Sequence, residues 1–313
     1  MKNRKFRFLI YAPPFDENIG GVIALHRLCD LLIRNGEDAF LVPYYTKPKF
    51  STSVGKLKNI LYPLKVVKYL LIKYLRIYNV NKMLITPVLH KVVLSDSDVV
   101  IYPEVVNGNP LEVKNVVRWL MHKPGYHTGE ISYGKGDMYF FYQIIFNDPS
   151  LNPYIDHFLT VVWVRDEIYK QTNFGIRTGT CYMLRKGKNR KMVHDVNNSI
   201  LLDGMSHDEI AKIMNQCEYF ISYDTETMYS NYAILCGCKS IVVPKDGVLK
   251  EEWQPKKEFR YGIAYGFKDL AEAQKTKHLV YDVLKKLEND SNQSVKVFIQ
   301  KVYEYFDGKE YIG

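Results

Sequence analysis

A chain of 313 residues is long for one ordinary domain, so two units of roughly 150 residues each are expected. Its 47% hydrophobic and 25% charged residues describe a soluble, well-cored protein and exclude a disordered one. Five cysteines, an odd count with no Cys-x-x-Cys, exclude a disulfide framework, and no apolar run reaches the ~18 residues of a membrane span.

The opening "MKNRKFRFLIYAPP" is too short in its apolar part for a signal sequence, so the cytoplasm is the expected compartment. Twenty-five Tyr and fifteen Phe suit thick α/β packing and sugar-stacking surfaces. The net charge of +9 is local. Between Ala39 and Ser95 there are ten Lys and Arg and no Asp or Glu, which leaves 33 basic and 34 acidic residues elsewhere.

Phe6 to Tyr11 reads as a strand, ended by Pro13-Pro14. Gly20-Gly21 opens a helix with Val22, Leu25, Leu28, Cys29 and Leu32 at helical spacing; Asn35-Gly36 stops it, and Ala39 to Val42 is the next strand. This is a βαβ unit of a parallel sheet, but its loop is not Gly-x-Gly-x-x-Gly, so the dinucleotide fingerprint is absent. "LKVVKYLLIKYLRIY" (64–78) reads as an amphipathic helix. Lys65, Lys68, Lys73 and Arg76 fall within an arc of about 140°, with Val67, Leu70, Leu71, Tyr74 and Tyr78 opposite.

That helix either packs its apolar face on the sheet or docks its cationic face on anionic lipid. Nucleic acid is set aside, because no nucleic-acid motif is present and the aromatics lie opposite the charges. "SDVVIY" (97–102) is a strand ending in Pro103-Glu104. "NVVRWLMHKPG" (115–125) is a strand or short helix before a loop with His122, His127 and Glu130. "DMYFFYQIIF" (137–146) reads as a strand or an edge hairpin, and "FLTVVWV" (158–164) as a further strand.

In the second half, "GTCYMLRKGKNRK" (179–191) is a strand and a basic Gly loop, and "NSILLDG" (198–204) a strand and turn. Ser206 with Glu209 makes a capping box for a helix whose buried face is Ile210, Ile213, Met214 and Cys217. Tyr219 to Ser222 is a strand with Asp224 at its carboxyl end. Met228 to Leu235 is a helix, Cys236-Gly237-Cys238 its C-cap turn, and Ser240 to Val243 the next strand. Residues 269–313 read as two terminal helices.

Open α/β sheets bind ligands outside the carboxyl ends of their strands. Asp224, Thr225 and Glu226 stand at such an end, where an acid accepts bonds from sugar hydroxyls and the next helix offers N–H groups to a phosphate. Arg185, Lys186 and Lys188 around Gly187 suit a diphosphate, the glycine allowing close backbone approach. Gly20 and Gly21 form a second Gly loop at a helix N-terminus. Asp16 and Glu104 are candidate acid/base groups for an acceptor hydroxyl. Each has a plainer reading: a solvated turn for 185–191, a helix cap for Asp224 and Glu226, a tight turn for Gly20-Gly21, exposed residues for Glu104 and His127.

"DGMSHDEIAKIMNQCEYFISYDTETMYSNYAILCGCKSIVVP" resembles the donor half of GT-B glycosyltransferases with the retaining signature. "PPFDENIGGVIALHRLCDLLIRNGEDAFLV" is similar to their acceptor half. "YPEVVNGNPLEVKNVVRWLMHKPG" and "CYMLRKGK" resemble segments of bacterial lipopolysaccharide and capsule transferases. The pattern departs at Tyr232, where the signature has its second Glu; Asp224 stands eight residues earlier.

The resemblance implies an α/β GT-B fold of two Rossmann-like domains facing an interdomain cleft. Residues 1–160 would bind acceptor, 161–290 donor, and a helix over 291–313 would pack back on the first domain. It implies a metal-independent hexosyltransferase with no cofactor, its donor a nucleotide-diphosphate sugar. Asp224, Thr225, Glu226 and Ser230 would contact the donor from one half, His127, Gly20 and Gly21 from the other. The implied acceptor is a lipid-linked oligosaccharide or lipopolysaccharide at the inner face of the cytoplasmic membrane, reached through the basic helix. The rival readings are a sugar-phosphate transferase on the same scaffold and a non-catalytic membrane-peripheral binding protein.

Overall fold

A computed structural model describes residues 5–45 and 62–308. The chain divides into two compact units, Met1–Trp163 with Glu288–Gly313, and Val164–Leu287. The chain thus leaves the first unit after Trp163 rather than 160, and re-enters it at Glu288 rather than 291.

The first unit contains β1 (Arg7–Ala12), α1 (Gly20–Arg34), β2 (Asp38–Pro43), α2 (Tyr62–Tyr74), β3 (Asp98–Pro103), β4 (Asn115–Leu120) and β5 (Met138–Phe141). All five strands are parallel, in the order β2-β1-β3-β4-β5. Every residue of β3 and β4 is buried, as expected of central strands covered on both faces. One face packs Phe8, Ile101, Trp119 and Phe140 against Leu25 and Leu28 of α1 and Phe298 and Val302 near the C-terminus. The other buries Leu9, Val100 and Tyr102 beneath Val106 and Val113 of the connection after β3. Asn35 caps α1 by donating its Nδ2 to Leu31 O (2.7 Å), and Gly36 follows at φ 87°.

The second unit contains β6 (Thr180–Met183), β7 (Ser199–Leu201), α3 (His207–Gln216), β8 (Tyr219–Ser222), α4 (Tyr229–Leu235), β9 (Lys239–Val242), α5 (Lys250–Trp253), β10 (Ile263–Tyr265) and α6 (Leu270–Thr276). Its parallel order is β10-β9-β8-β6-β7. Numbered within its own unit, each sheet therefore runs 2-1-3-4-5. The first two strands pair outward on one side, and the later ones extend the other way. The reversal falls between β1 and β3 in one sheet and between β6 and β8 in the other. The capping box of α3 is formed: Ser206 Oγ accepts from Glu209 N, and Glu209 Oε2 from Ser206 N (2.9 Å).

Three expected elements differ. Residues 158–164 are not a strand: Phe158 makes one bridge to Phe141. Beyond it, Thr160 N and Val162 N donate to Ser294 Oγ (3.0 Å) and Ser291 Oγ (2.8 Å), so side-chain hydroxyls take the donors that a ladder would use. The terminal helices break at 277–279 instead of near 290, and a single 29-residue helix, α7 (Val280–Gly308), runs from the second unit into the first. Lastly, α2 ends at Tyr74, so Arg76, at φ 53°, and Tyr78 lie beyond it. Val67, Leu70, Leu71 and Tyr74 of the expected apolar face are exposed, whereas Tyr62, Val66, Tyr69 and Ile72 are half-buried.

Candidate functional site

The basic loop of the second unit lies at the reversal point. The N–H groups of Leu184 and Arg185 donate to the Asp203 carboxylate (2.7 and 2.8 Å), which holds the chain as it leaves β6. Arg185 takes φ 43° there, a left-handed conformation that a non-glycine residue adopts only when its surroundings impose it.

Gly187 is buried because the loop presses on β8. A Cβ at 187 would stand 2.2 Å from Tyr223 O. Its smallness thus serves packing on Tyr223. Arg190 then donates to Tyr223 O (2.8 Å), Val243 O (2.9 Å) and Pro244 O, tying the loop to the ends of β8 and β9.

On this frame the side chains gather. Arg185 Nε lies 3.9 Å from Asp224 Oδ2, and its guanidinium stands over the Tyr229 ring at 5.3 Å. Asp224 is buried; its Oδ1 accepts from Glu226 N (3.0 Å) and its carbonyl from Ser222 Oγ (2.7 Å). Glu226 is exposed and takes Lys186 (3.1 Å) and Lys245 (3.5 Å). The Lys186 bond, ahead of the opposing cost of burial, holds the Glu226 carboxyl below its ordinary range. Thr225 is buried and its carbonyl accepts from Trp253 Nε1 (2.7 Å).

Ser230 is 2% exposed, and its Oγ has no hydrogen-bond partner among the described residues. Lys188 is exposed at the rim. Behind Tyr229 lies a buried network: its hydroxyl and Arg165 Nη1 both reach His207 Nε2 (3.2 and 2.9 Å), and Tyr169 OH meets His207 Nδ1.

In the first unit, Glu104 follows the carboxyl end of β3 and is 5% exposed. Burial raises its pKa to about 7, although the backbone N–H groups of Met121 (3.2 Å to Oε2) and His122 partly offset that. Met121 also touches α1: a Cβ on Gly21 would lie 3.6 Å from Met121 Cε, an ordinary contact, and one on Gly20 would meet nothing. Neither glycine has a positive φ, so no tight turn demands them. The α1 N-terminus has no side-chain cap.

His127 is exposed, its ring 4.8 Å from that of His122, next after Met121. The structure thus links Gly21, Glu104 and His127 through residues 121–122. Asp16 instead serves the turn into α1, its Oδ1 accepting from Asn18 N (2.9 Å), in a hollow with Asn79, Asn81 and Lys82.

The structure brings together Arg185, Lys186, Asp224 and Glu226 of the expected donor residues. It adds Lys245, Asp203, Arg190, Tyr229 and His207, which sequence reasoning missed. Lys245 and Asp203 were within reach, each following an apolar strand run. The metal-independent reading takes the sequence to hold no Asp-x-Asp, but Asp96-Ser97-Asp98 has that spacing, at the amino end of β3. There Asp98 is buried against Arg7 Nε (2.7 Å) and Nη2 (2.8 Å). Among the described residues no group of three His, Cys, Asp or Glu gathers as a metal cluster.

No family model matches the sequence. No curated protein matches it either. Among solved structures, T4 phage BGT in complex with UDP-glucose is similar over 98% of both chains, at 9% identity and a TM-score of 0.43. The DNA modifying enzyme β-glucosyltransferase is similar over 98% of this chain and 99% of that one, at 9% identity and 0.44. A UDP-N-acetylglucosamine 2-epimerase is similar over 97% of both, at 11% and 0.43. Likeness at this level carries no conclusion about what the present chain binds.

Proposed function

We propose that the chain is a GT-B glycosyltransferase that moves a sugar from a nucleotide-diphosphate donor to a lipid-linked oligosaccharide or a lipopolysaccharide or capsule acceptor. The observation that carries this reading is the set of cations at the β6/β8 reversal: Arg185 beside Asp224, with Lys186 and Lys245 on Glu226. The two lysine pairs are exposed, and exposed pairs contribute about 0–1 kcal/mol, so a diphosphate displaces Glu226 from them at little cost. Asp224, Thr225 and Ser230 then serve the sugar and ribose hydroxyls.

In the transfer the acceptor oxygen bonds to the sugar's anomeric carbon as the bond from that carbon to the diphosphate oxygen breaks. Glu104 takes the acceptor's proton, and Arg185, Lys186 and Lys188 neutralise the leaving diphosphate without a metal. The uncapped α1 N-terminus at Gly20-Gly21, His127 and Asp16 border the acceptor. The exposed apolar residues of α2, Leu64, Val67, Leu70 and Leu71, beside Lys65, Lys68 and Lys73, support a peripheral station at the inner face of the cytoplasmic membrane.

Thermal shift against UDP, GDP and CMP beside their nucleosides tests the donor reading. A rise in melting temperature with at least one nucleotide and not its nucleoside is expected. Silence across the panel would favour a non-catalytic binding protein.

A further inference from the structure

At edge strand β5 the first unit has a cavity of about 730 Å³, bounded by the segment before β5, residues 150–154 and Tyr305 of α7. One wall is a stack of three rings. Buried Phe140 lies under His157 (4.9 Å, 16°), and His157 under Tyr154 (4.5 Å, 17°). His157 is itself held by Nδ1 at Tyr139 O (2.9 Å). Tyr154 is 55% exposed, so the stack ends in a fixed aromatic face turned to solvent. A face held in this way loses little rotamer freedom when a ligand covers it.

Tyr133 and Tyr139 also line the cavity, their rings 6.2 Å apart. Tyr133 is anchored twice: its hydroxyl donates to Glu104 O (2.6 Å), and the Arg118 guanidinium lies over its ring (4.8 Å). The lining also carries polar groups that the protein does not use. Tyr139 OH, Tyr154 OH, Ser132 Oγ and Lys135 Nζ have no hydrogen-bond or ion-pair partner among the described residues.

The cavity's charge is nearly balanced. The Asp137 carboxylate is taken by Arg118 Nε (2.7 Å) and Gly134 N (3.0 Å), which leaves Lys135 as a lone cation. A phosphate-rich or acidic ligand would meet too few positive groups here. A ligand with an apolar ring face and a rim of hydroxyls matches the aromatic lining and its polar groups.

We propose that this cavity is a subsite for a neutral oligosaccharide, one pyranose stacked on Tyr154 and its hydroxyls bonded by Lys135, Tyr139 and Ser132. As a glycan site it stands alone. That it holds the distal units of the acceptor rests on the glycosyl-transfer reading, and Tyr133, which bridges the cavity wall to Glu104, makes that connection.

The test uses the full chain without nucleotide. Maltotetraose, cellotetraose, mannotetraose and tetra-N-acetylchitotetraose are titrated by saturation-transfer NMR and calorimetry. At least one is expected to bind with a Kd of about 1 mM or tighter. Tyr154→Ala should weaken it about tenfold or more, Tyr154→Trp should preserve it, and Lys135→Ala, at an exposed position that cannot unfold the unit, should weaken it severalfold. The proposal is overturned if none of the four saturates below about 10 mM. Binding indifferent to both Tyr154→Ala and Lys135→Ala overturns it as well. Glycan binding retained by a protein that ignores every nucleotide would sink the donor reading and leave the subsite standing.

Discussion

Arg185 and Asp224 each lie two residues past a neighbouring parallel strand, beyond Met183 of β6 and Ser222 of β8, and face one another at 3.9 Å where the strand order reverses. The guanidinium is about one-third exposed and the carboxylate is buried. A guanidinium set so places a positive charge at the point where an open α/β sheet binds its ligands.

Replacing Arg185 and Lys188 by Ala should weaken nucleotide-diphosphate binding roughly tenfold to a hundredfold and nucleoside binding hardly at all, since the lost partners are charges. Calorimetry with UDP or GDP against the nucleoside reads the difference. Equal weakening of both would mean that the loop is only structural.

Gly187→Ala should destabilise the protein whether or not a nucleotide is bound. Its Cβ would meet a backbone oxygen at 2.2 Å, which no rotamer relieves. The expected cost is about 2 kcal/mol or more, with a drop of several degrees in Tm. Unchanged melting with weakened UDP binding would return Gly187 to a ligand role.

Glu104 couples stability and activity to pH. Its pKa of about 7 lies above the ordinary value of 4.5, so the folded protein holds this proton more tightly than the unfolded chain. The stabilisation is complete below pH 4.5, declines as pH rises, and is lost above 7. Glu104→Gln should remove that decline, worth on the order of 3 kcal/mol between pH 4.5 and 8. If Glu104 takes the acceptor proton, kcat/KM should rise through about pH 7 in the wild type, and Glu104→Gln should abolish the rise. A pH profile of the variant that matches the wild type would exclude Glu104 as the base.

Turnover should survive EDTA, because side chains neutralise the leaving diphosphate. Activity lost on chelation and restored by Mg²⁺ or Mn²⁺ would reject this mechanism.

Lys65, Lys68 and Lys73 are exposed on α2. Each charge near an anionic bilayer contributes about 1 kcal/mol and is screened by salt. Reversing all three to Glu should abolish sedimentation with anionic liposomes, keep the melting temperature, and leave activity on a short soluble acceptor intact. A wild-type protein that ignores such liposomes at low salt would end the membrane reading.

Much of the architecture was legible before folding, because it depends on neighbours along the chain. The spacing of Val22, Leu25, Leu28 and Leu32, the stop at Asn35-Gly36, and the Ser206–Glu209 cap are local patterns, and α1 and α3 follow them. So was the placing of Arg185 and Asp224 at strand ends, since each follows an apolar run directly. What touches across strands depends on the order in which crossovers return to the sheet, and no local pattern encodes that order.

Only the tertiary structure set Arg185 opposite Asp224, pressed Gly187 on Tyr223, and gave the Glu104 carboxylate the Met121 amide beside Gly21. It alone spent Ser291 and Ser294 on the donors of Val162 and Thr160, where the sequence reads as a strand. Side chains decide there, because a helix more than a hundred residues away brings its hydroxyls to that edge.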